Sequence, residues 1–316
     1  MRRDRGQGGF AEALVVGGGS RRLERVDALL DWGPVEALLE PVHAASTGRP
    51  AYPVLCMFKV MLLQQWYGLG DPAMEEALGD RLSFRRFAGL ALDEAVPDHS
   101  TLCRFRGALT RLGLAEAVFA EVNRQLDARG LVLKQGTLID ATLIPAAATP
   151  PRKQPGGGRS KADGDAAWAK QGARACFGYK LHAGVDAGTG LVRTARLTPA
   201  PAGEAPVAPE LVTGDERSVW ADKAYIGPPL RDRLAAVGAK NRVQRRNTRG
   251  RRLTGWEIKR NVLIGRVRGR IEGVWGALKR SYGLGRMRYM GLARNTTATF
   301  LTLTAWNLAR AADRVA

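Results

Sequence analysis

The spacing of apolar residues changes near residue 130, and this change limits the folds that the chain can adopt. From about Leu23 to Leu126, apolar residues recur at intervals of three and four, which is typical of amphipathic helices. The later run GTLIDATLIPA (136–146) is short, apolar and β-branched, as expected of a buried strand. The pattern predicts an α+β chain in three parts: a flexible basic lead (1–21), a helical region (22–132) and an α/β region (133–316).

Two segments of the helical region are the most informative. VLCMFKVMLLQQWYGL (54–69) is apolar on all sides, which predicts a helix that its neighbours bury. VPDHSTLCRFRGAL (96–109) predicts a turn and then a new helix, because Pro97 stops the preceding element and Asp98 or Ser100 can cap the next one.

Strands and helices alternate in the α/β region. Residues 177–185 and 191–197 flank the turn sequence DAGTG, which indicates a β-hairpin whose turn uses Asp186. RSVWADKAY (217–225) predicts a strand that ends in a turn. The other predicted elements are a flexible Pro- and Gly-rich insertion (near 148–170), a short helix (205–213), a helix (229–238), a short strand (240–246), one long helix (256–282) and a final helix (298–314).

The chain carries 49 Lys and Arg against 30 Asp and Glu, a formal net charge of +19. Such a charge favours a polyanionic partner, most simply nucleic acid, with an anionic membrane surface as the alternative. No stretch approaches the ~20 apolar residues that span a bilayer, and the N-terminal residues lack the apolar core of a signal peptide. The three Cys and three His are scattered, which predicts neither a disulfide framework nor a structural zinc site and fits a reducing cytoplasm.

Two aspartates occupy unusual positions. Asp140 interrupts the buried strand GTLIDATLI, where an ionised carboxylate is costly unless it is paired or bound to a metal ion. Asp222 ends the apolar run VWAD, and strand ends point into the crevice where α/β folds collect ligands. The plainer interpretations are a hydrogen-bonded strand-end residue for Asp140 and the N-cap of the following turn for Asp222.

A lone glutamate, Glu272, lies in the most basic helix. At ~100° per residue, one stripe of this helix holds Arg268, Glu272, Trp275 and Lys279. The adjacent stripe, expected to pack on the sheet, holds Val267, Ile271, Val274 and Leu278. The plainer interpretation of Glu272 is an ion pair with Arg268 worth ~0.3–0.5 kcal/mol.

Taken together, the three acids indicate a metal centre. Three carboxylates that converge repel each other unless they hold cations, and hard oxygen ligands suit Mg²⁺ or Mn²⁺. Two such ions can clamp the attacking and leaving oxygens of a phosphodiester. In a very basic protein, cationic side chains would then bind the polymer while the acids bind the metal.

The segments GTLIDATLI, VWADKAY and RVRGRIEGVWGALKR resemble the DDE-type transposases of bacterial insertion sequences, most closely the insertion sequence five family. That family has an Arg four positions before the third acid and a Lys seven after it, here Arg268 and Lys279. Its usual Tyr, three positions before the Arg, is Gly265 in this chain. The helical segments YPVLCMFKVMLLQQWYGL and VPDHSTLCRFR and the hairpin FGYKLHAGVDAGTGLV also resemble parts of these enzymes, so the resemblance covers roughly residues 40 to 310.

The resemblance implies a helical N-terminal DNA-binding domain followed by an RNase H-like α/β catalytic domain. It implies that Asp140, Asp222 and Glu272 are the catalytic ligands of two Mg²⁺ (or Mn²⁺) ions. It also implies that Arg268 and Lys279 hold phosphate or terminal bases beside the metal.

Further DNA contacts are expected from the basic surfaces. Residues 240–294 contain 17 Lys and Arg against two acids, which is typical of a phosphate-backbone surface but also of a solvated charged face. Arg104 and Arg106 could read DNA from a helix-turn-helix, or belong to a plain bundle helix. The remaining candidates for DNA contact are Arg245, Arg246, Arg251, Arg252, Lys223 and Trp275, the last of which could equally be core.

We therefore expect a DNA transposase that binds the terminal inverted repeats of its element. Metal-activated water would cut the element end, and the freed 3′-OH would attack target DNA. Since two ends must be paired, we expect a homodimer or higher oligomer on DNA, in the bacterial cytoplasm at the nucleoid. The alternatives are an inactive or domesticated DNA-binding relative and an RNase H-like nuclease without transposition.

Overall fold

A computed structural model of the chain describes residues 20–43, 51–150, 163–171 and 174–315. Nearly all of the predicted basic lead and much of the predicted insertion lie outside the described residues. Within the described ranges, no helix combines the length and the apolar character needed to cross a bilayer.

The first region is helical, as predicted. Its elements are α1 (Arg21–Leu29), α2 (Gly33–Leu39), a 3₁₀ turn (Glu40–His43), α3 (Val54–Tyr67), α4 (Asp71–Asp80), α5 (Leu82–Ala88), α6 (His99–Leu112) and α7 (Leu114–Ala128). The prediction of a buried helix is confirmed by α3, since ten of its 14 residues are buried. The carboxylate of Asp98 caps α6 by accepting a 2.6 Å hydrogen bond from the Thr101 N–H, which lowers the Asp98 pKa to about 2.

The second region mixes strands and helices. Its elements are β1 (Thr137–Pro145), β2 (Ala167–Gln171), β3 (Arg174–Asp186), β4 (Val192–Pro199), α8 (Glu204–Val207), a 3₁₀ turn (Ala208–Leu211), β5 (Ser218–Ala221), a 3₁₀ turn (Lys223–Tyr225), α9 (Pro228–Ala236), β6 (Lys240–Val243), α10 (Gly255–Arg268), α11 (Arg270–Ser281) and α12 (Leu292–Ala312). The predicted β-hairpin is confirmed by β3 and β4, and Asp186 accepts hydrogen bonds from the Gly188 and Thr189 amides of its turn.

Two sequence predictions need correction. The single helix expected at 256–282 is interrupted at Gly269, the one residue between α10 and α11, although its φ of −55° and ψ of −17° stay helical. The predicted flexible insertion contains an ordered strand, since β2 pairs antiparallel with β3. Asp163, at the start of this ordered part, is buried and accepts a 2.7 Å hydrogen bond from the Tyr179 hydroxyl.

One sheet contains the six described strands. β1 runs antiparallel to β3 and parallel to β5, and β5 runs parallel to β6. On its other edge, β3 pairs antiparallel with β2 and β4. The parallel pair β1–β5 carries the two candidate aspartates, so its register decides their separation.

The last helix, α12, joins the helical region to the sheet. Its Leu301 and Leu308 pack among the N-terminal helices, whereas its Phe300 and Leu303 pack against the sheet. The amide nitrogen of Asn307 donates to Asn123 Oδ1 in α7 at 2.7 Å and to the Val192 carbonyl in β4 at 2.7 Å. The boundary predicted near residues 130–136 stays a prediction, and α12 packs on both sides of it.

A buried histidine should make stability depend on pH. His182 is fully buried in β3, with Nε2 3.0 Å from the Thr198 hydroxyl. Burial, with a smaller contribution from Lys180, lowers its pKa from 6.5 to about 4. Between these values the unfolded chain binds a proton that the folded chain excludes, so the free energy of unfolding should fall as the pH drops from about 6.5 to about 4. The His182 contribution is on the order of 3 kcal/mol.

Urea unfolding of the parent chain and of His182→Gln across this pH window measures that contribution. The variant should lose less stability than the parent as the pH falls. Parallel losses in both proteins would contradict the prediction.

Candidate active site

The register of β1 and β5 brings two candidate acids together. Leu138 pairs with Trp220 across these parallel strands, and the residues two positions further along are Asp140 and Asp222. Residues two apart in a strand share a face, and neighbouring strands lie about 4.8 Å apart. The two aspartates therefore lie side by side on one face. Gly136 permits this pairing, because a Cβ there would meet the Trp220 ring at 1.7 Å.

Asp140 is largely buried, with 18% of its side chain exposed. Burial raises its pKa, and the nearby charge of Asp222 raises it further. Two contacts oppose this effect: Arg268 Nη1 lies 3.4 Å from Oδ1, and the Trp275 indole N–H donates to Oδ2 at 3.1 Å. Because desolvation still dominates, the carboxylate is incompletely compensated and favours an additional cation.

Asp222 follows β5 directly and begins a 3₁₀ turn. Its Oδ1 accepts a 2.7 Å hydrogen bond from the Ala224 N–H, so the capping interaction considered from sequence is present. This bond fixes the side chain beside Asp140 rather than removing it from the site. Lys223, the next residue, is exposed at the same edge.

Glu272 lies in the first turn of α11, just after Gly269 separates this helix from α10. Ile271, Val274 and Leu278 are buried against the sheet, as the helical stripe predicts. Glu272 itself is 69% exposed, and its Oε1 is 3.9 Å from Arg268 Nη2. Arg268 therefore stands between Asp140 and Glu272 and forms an ion pair with each.

The three acids do not close around one point. Across the described ranges, no three Asp, Glu, His or Cys side chains lie close enough to hold a metal ion. The donors themselves suit a hard divalent cation, since Asp140 and Asp222 offer neighbouring carboxylate oxygens and Asp140 is undercompensated. Glu272 lies beyond Arg268, with most of its side chain in solvent. The residues present therefore fit a divalent cation, although the full three-ligand arrangement stays a prediction.

The two cations of the α10–α11 stripe flank β1. Arg268 is mostly buried, and its Nε has no hydrogen-bond partner in the part of the chain that is described. Lys279 donates to the Leu143 carbonyl at 3.1 Å, and burial lowers the pKa of its ammonium group. Both side chains lie along the strand that carries Asp140. A phosphate beside Asp140 would therefore be attracted by both positive charges.

Trp275 is buried, whereas a side chain that stacks on a DNA base must be exposed. It is 7% exposed and packs in the core, and its only polar group is bonded to Asp140. Trp275 therefore does not fit the expected DNA contact. Its indole N–H instead positions Asp140, a candidate metal ligand. Sequence placed Trp275 on the Glu272 stripe but could not identify a partner 135 residues away.

The Arg106 side chain is also buried inside the fold. Only 11% of its side chain is exposed, and its guanidinium donates to Asp71 at 2.6 and 3.0 Å and to Gln64 at 2.9 Å. It therefore joins α6 to α3 and α4, and does not fit the expected DNA contact. Arg104 is exposed and donates a 2.9 Å hydrogen bond to the Thr101 hydroxyl one helical turn away.

The basic segment after β6 contains two kinds of arginine. Arg245 and Arg251 both bind the buried carboxylate of Glu257, which also completes the capping box of α10 with Thr254. Arg246 and Arg252 are exposed, and neither forms an ion pair with any described residue. The first pair shapes the segment and the second pair leaves its charge available to a polyanion.

Two protein-family models match the chain. A transposase domain (DUF772) matches residues 16–108, and a transposase DDE domain matches residues 133–308, more than half of the sequence. The second match spans all three candidate acids. No solved structure matches the chain.

Replacing Arg106 by Met should destabilise the fold without a specific effect on DNA. The substitution leaves Asp71 partly buried without its cation, which should lower the free energy of unfolding by about 2–4 kcal/mol in urea denaturation. The exposed control Arg104→Met should change it by less than about 0.5 kcal/mol. Unchanged stability together with weakened DNA binding in Arg106→Met would contradict the prediction and indicate that Arg106 contacts DNA.

Proposed function

The chain belongs to the transposase DDE-domain family and is a DNA transposase, and on this premise we propose that Asp140, Asp222 and Glu272 form its catalytic centre. The observation that carries the proposal is the parallel register of β1 and β5, which sets two carboxylates side by side. The ion pair between Arg268 and Glu272 supports the third member, because it links α11 to the same face.

Metal dependence follows from the family, and we propose two Mg²⁺ (or Mn²⁺) ions held by the three acids. When bound, such ions activate the attacking water and stabilise charge on the leaving oxygen. Trp275 orients Asp140 through its indole N–H. Arg268 offers a guanidinium between Asp140 and Glu272, where phosphate oxygens can accept its hydrogen bonds.

The proposed reaction begins at the terminal inverted repeats of the element. Hydrolysis of one phosphodiester at the repeat end frees a 3′-OH, which then attacks a phosphodiester of target DNA. Two ends must be held together for this sequence, so we propose a homodimer or higher oligomer on DNA. Because the substrate is DNA, the proposed place of action is the bacterial nucleoid.

Two finer assignments belong to the same proposal. The RNase H-like description of the catalytic domain is supported by a mixed sheet in which β1 pairs antiparallel with β3 and parallel with β5. Membership of the insertion sequence five family is supported by the Arg268, Glu272 and Lys279 spacing. We further propose that the helical region, 22–132, binds DNA.

The proposed DNA surface combines exposed cations with two partly buried ones, Arg268 and Lys279, that lie along β1. It excludes Arg106 and Trp275, whose side chains are almost entirely buried and bonded inside the fold. Its members are Arg104, Lys223, Arg245, Arg246, Arg251, Arg252, Arg268 and Lys279. Because these contacts are mainly electrostatic, binding should weaken steeply with added salt.

Neutralising the candidate ligands should abolish cutting and leave DNA binding intact. Asp222→Asn and Glu272→Gln keep side-chain size and remove the charge that a divalent cation requires. On a labelled fragment with the repeats that flank the gene, both variants should lose Mg²⁺- or Mn²⁺-dependent cleavage. Binding in EDTA should stay within about twofold of the parent.

The exposed acid Asp232, paired with Arg231, provides the matched control. Asp232→Asn should cut like the parent. Tight binding by the parent chain without cutting under any metal would favour the inactive DNA-binding alternative. Cutting without any joining to target DNA would favour a nuclease.

Trp275→Phe isolates the positioning contact. The ring keeps most of its packing, but the hydrogen bond to Asp140 is lost. Loss of a bond that orients a metal ligand typically costs 10–100-fold in metal affinity or activity, so the cleavage rate should fall by roughly that factor. Raising the metal concentration should restore part of the rate. A variant that cuts like the parent at limiting metal would show that Trp275 serves packing alone.

A further inference from the structure

The Tyr225 hydroxyl is buried in an unusual way. Only 1% of the residue is exposed, and its oxygen has no hydrogen-bond partner in the described part of the chain. Buried polar groups are nearly always bonded to protein or to water, and an unpaired hydroxyl lowers stability. A phenylalanine ring would fill the same space without this cost. Packing alone therefore does not explain the oxygen.

Tyr225 lies beneath the candidate active site, on the opposite face of the sheet. It ends the 3₁₀ turn that Asp222 caps, and its N–H donates to the Asp222 carbonyl at 3.3 Å. Its ring packs in a cluster with Ile139 and Ala221, the residues that directly precede the two candidate aspartates. Because alternate residues of a strand face opposite sides, this cluster lies on the face away from the Asp140 side chain.

The edge of β1 is open beside Asp140, so the far face can be reached. β5 pairs with β1 at Thr137 and Leu138, and the last residue of β5 is Ala221. Beyond that point β1 has β3 on one side and no described strand on the other. A hydroxyl at the far end of a ring under β5 can therefore approach the Asp140 carboxylate around the end of that strand.

The charges that act on the hydroxyl indicate that it points this way. Burial is the main cause that raises the Tyr225 pKa, and the next causes are three carboxylates: Asp140 first, then Glu204 and Asp222. Arg268, the ion-pair partner of Asp140, opposes them. The hydroxyl thus stays protonated and is a hydrogen-bond donor among acceptors.

We propose that Tyr225 is a positioning residue of the catalytic centre, whose hydroxyl orients the Asp140 carboxylate for a divalent cation through one bridging water molecule. Such a water accepts from Tyr225 and donates to Asp140, which satisfies a contact too long for a direct bond. Trp275 and Arg268 hold the same carboxylate from the other face of the sheet. This inference rests on the proposed function, because it concerns a proposed metal ligand.

Two matched substitutions, Tyr225→Phe and Tyr179→Phe, test this role. Each removes one buried hydroxyl and keeps the ring. Tyr179 donates to Asp163 at 2.7 Å, so its hydroxyl has a protein bond to lose, whereas the Tyr225 hydroxyl has none among the described residues. In urea unfolding with EDTA, Tyr179→Phe should lower the unfolding midpoint, and Tyr225→Phe should leave it unchanged or raise it.

Measurements with metal should reverse this order. Mn²⁺ stabilises a folded protein that binds it, so the unfolding midpoint of the parent should rise with Mn²⁺ concentration. Tyr225→Phe should need about 10–100-fold more Mn²⁺ for the same rise, the typical effect of losing a contact to a metal ligand. Tyr179→Phe should keep the Mn²⁺ requirement of the parent.

Cleavage of the labelled repeat-end fragment gives a second readout. At limiting Mn²⁺, Tyr225→Phe should cut about 10–100-fold more slowly than the parent, and high Mn²⁺ should restore part of the rate. Binding of the same fragment in EDTA should not change, because the hydroxyl is buried and contacts no DNA.

The contrary outcomes separate this inference from the proposed function. If Tyr225→Phe keeps the Mn²⁺ requirement of the parent while Asp222→Asn is inactive, the inference is overturned and the catalytic centre stands. A lower unfolding midpoint of Tyr225→Phe in EDTA, with an unchanged Mn²⁺ requirement, would assign the hydroxyl to folding and overturn the inference as well. A parent chain that neither gains stability from Mn²⁺ nor cuts DNA would remove the proposed catalytic centre along with it.

Discussion

The parallel pairing of β1 with β5 is the constraint on which the rest of the site depends. It brings Asp140 beside Asp222, although 81 residues lie between them in sequence. The pairing needs Gly136, because the Trp220 ring occupies the space of a side chain there. Burial raises the pKa of Asp140, and the contacts with Arg268 and Trp275 offset this effect only in part.

Arg268 is the cation that stabilises the ionised form of Asp140. It sits 3.4 Å from Asp140 and 3.9 Å from Glu272, so it holds the place between acids that would otherwise repel. Its contact with Glu272 has the i, i+4 spacing of consecutive helical turns, and Gly269 between the two helices keeps a helical conformation. A phosphate and its cations would compete for the same contacts, which gives Arg268 a role both before and after substrate binds.

The basic charge of the chain is organised rather than uniform. Glu257 gathers Arg245 and Arg251 at the start of α10, and Asp71 gathers Arg106 inside the helical region. Arg106 is buried against its partner and has little to offer DNA, whereas Arg245 and Arg251 keep exposed side chains. The cations that remain exposed form the surface that a nucleic acid can contact.

Sequence alone determined the features that depend on local chemistry. Continuous apolar runs predicted α3 and β1, turn residues predicted the hairpin at Asp186, and helix geometry predicted the buried stripe of α11. The two aspartates were identified because a carboxylate inside or at the end of an apolar run is unusual in any fold, and Glu272 because it is the lone acid of a basic helix. These signals lie within a few residues of each other, where the chain's own geometry decides the outcome.

Only the tertiary structure determined which partners the polar side chains bond to. Trp275 and Arg106 look available for DNA in sequence, but their partners Asp140 and Asp71 lie 135 and 35 residues away. The strand β2 was hidden for the same reason, since its pairing with β3 depends on a neighbour rather than on its own pattern. A buried donor must find an acceptor wherever the fold brings one, and no local pattern records which residue that will be.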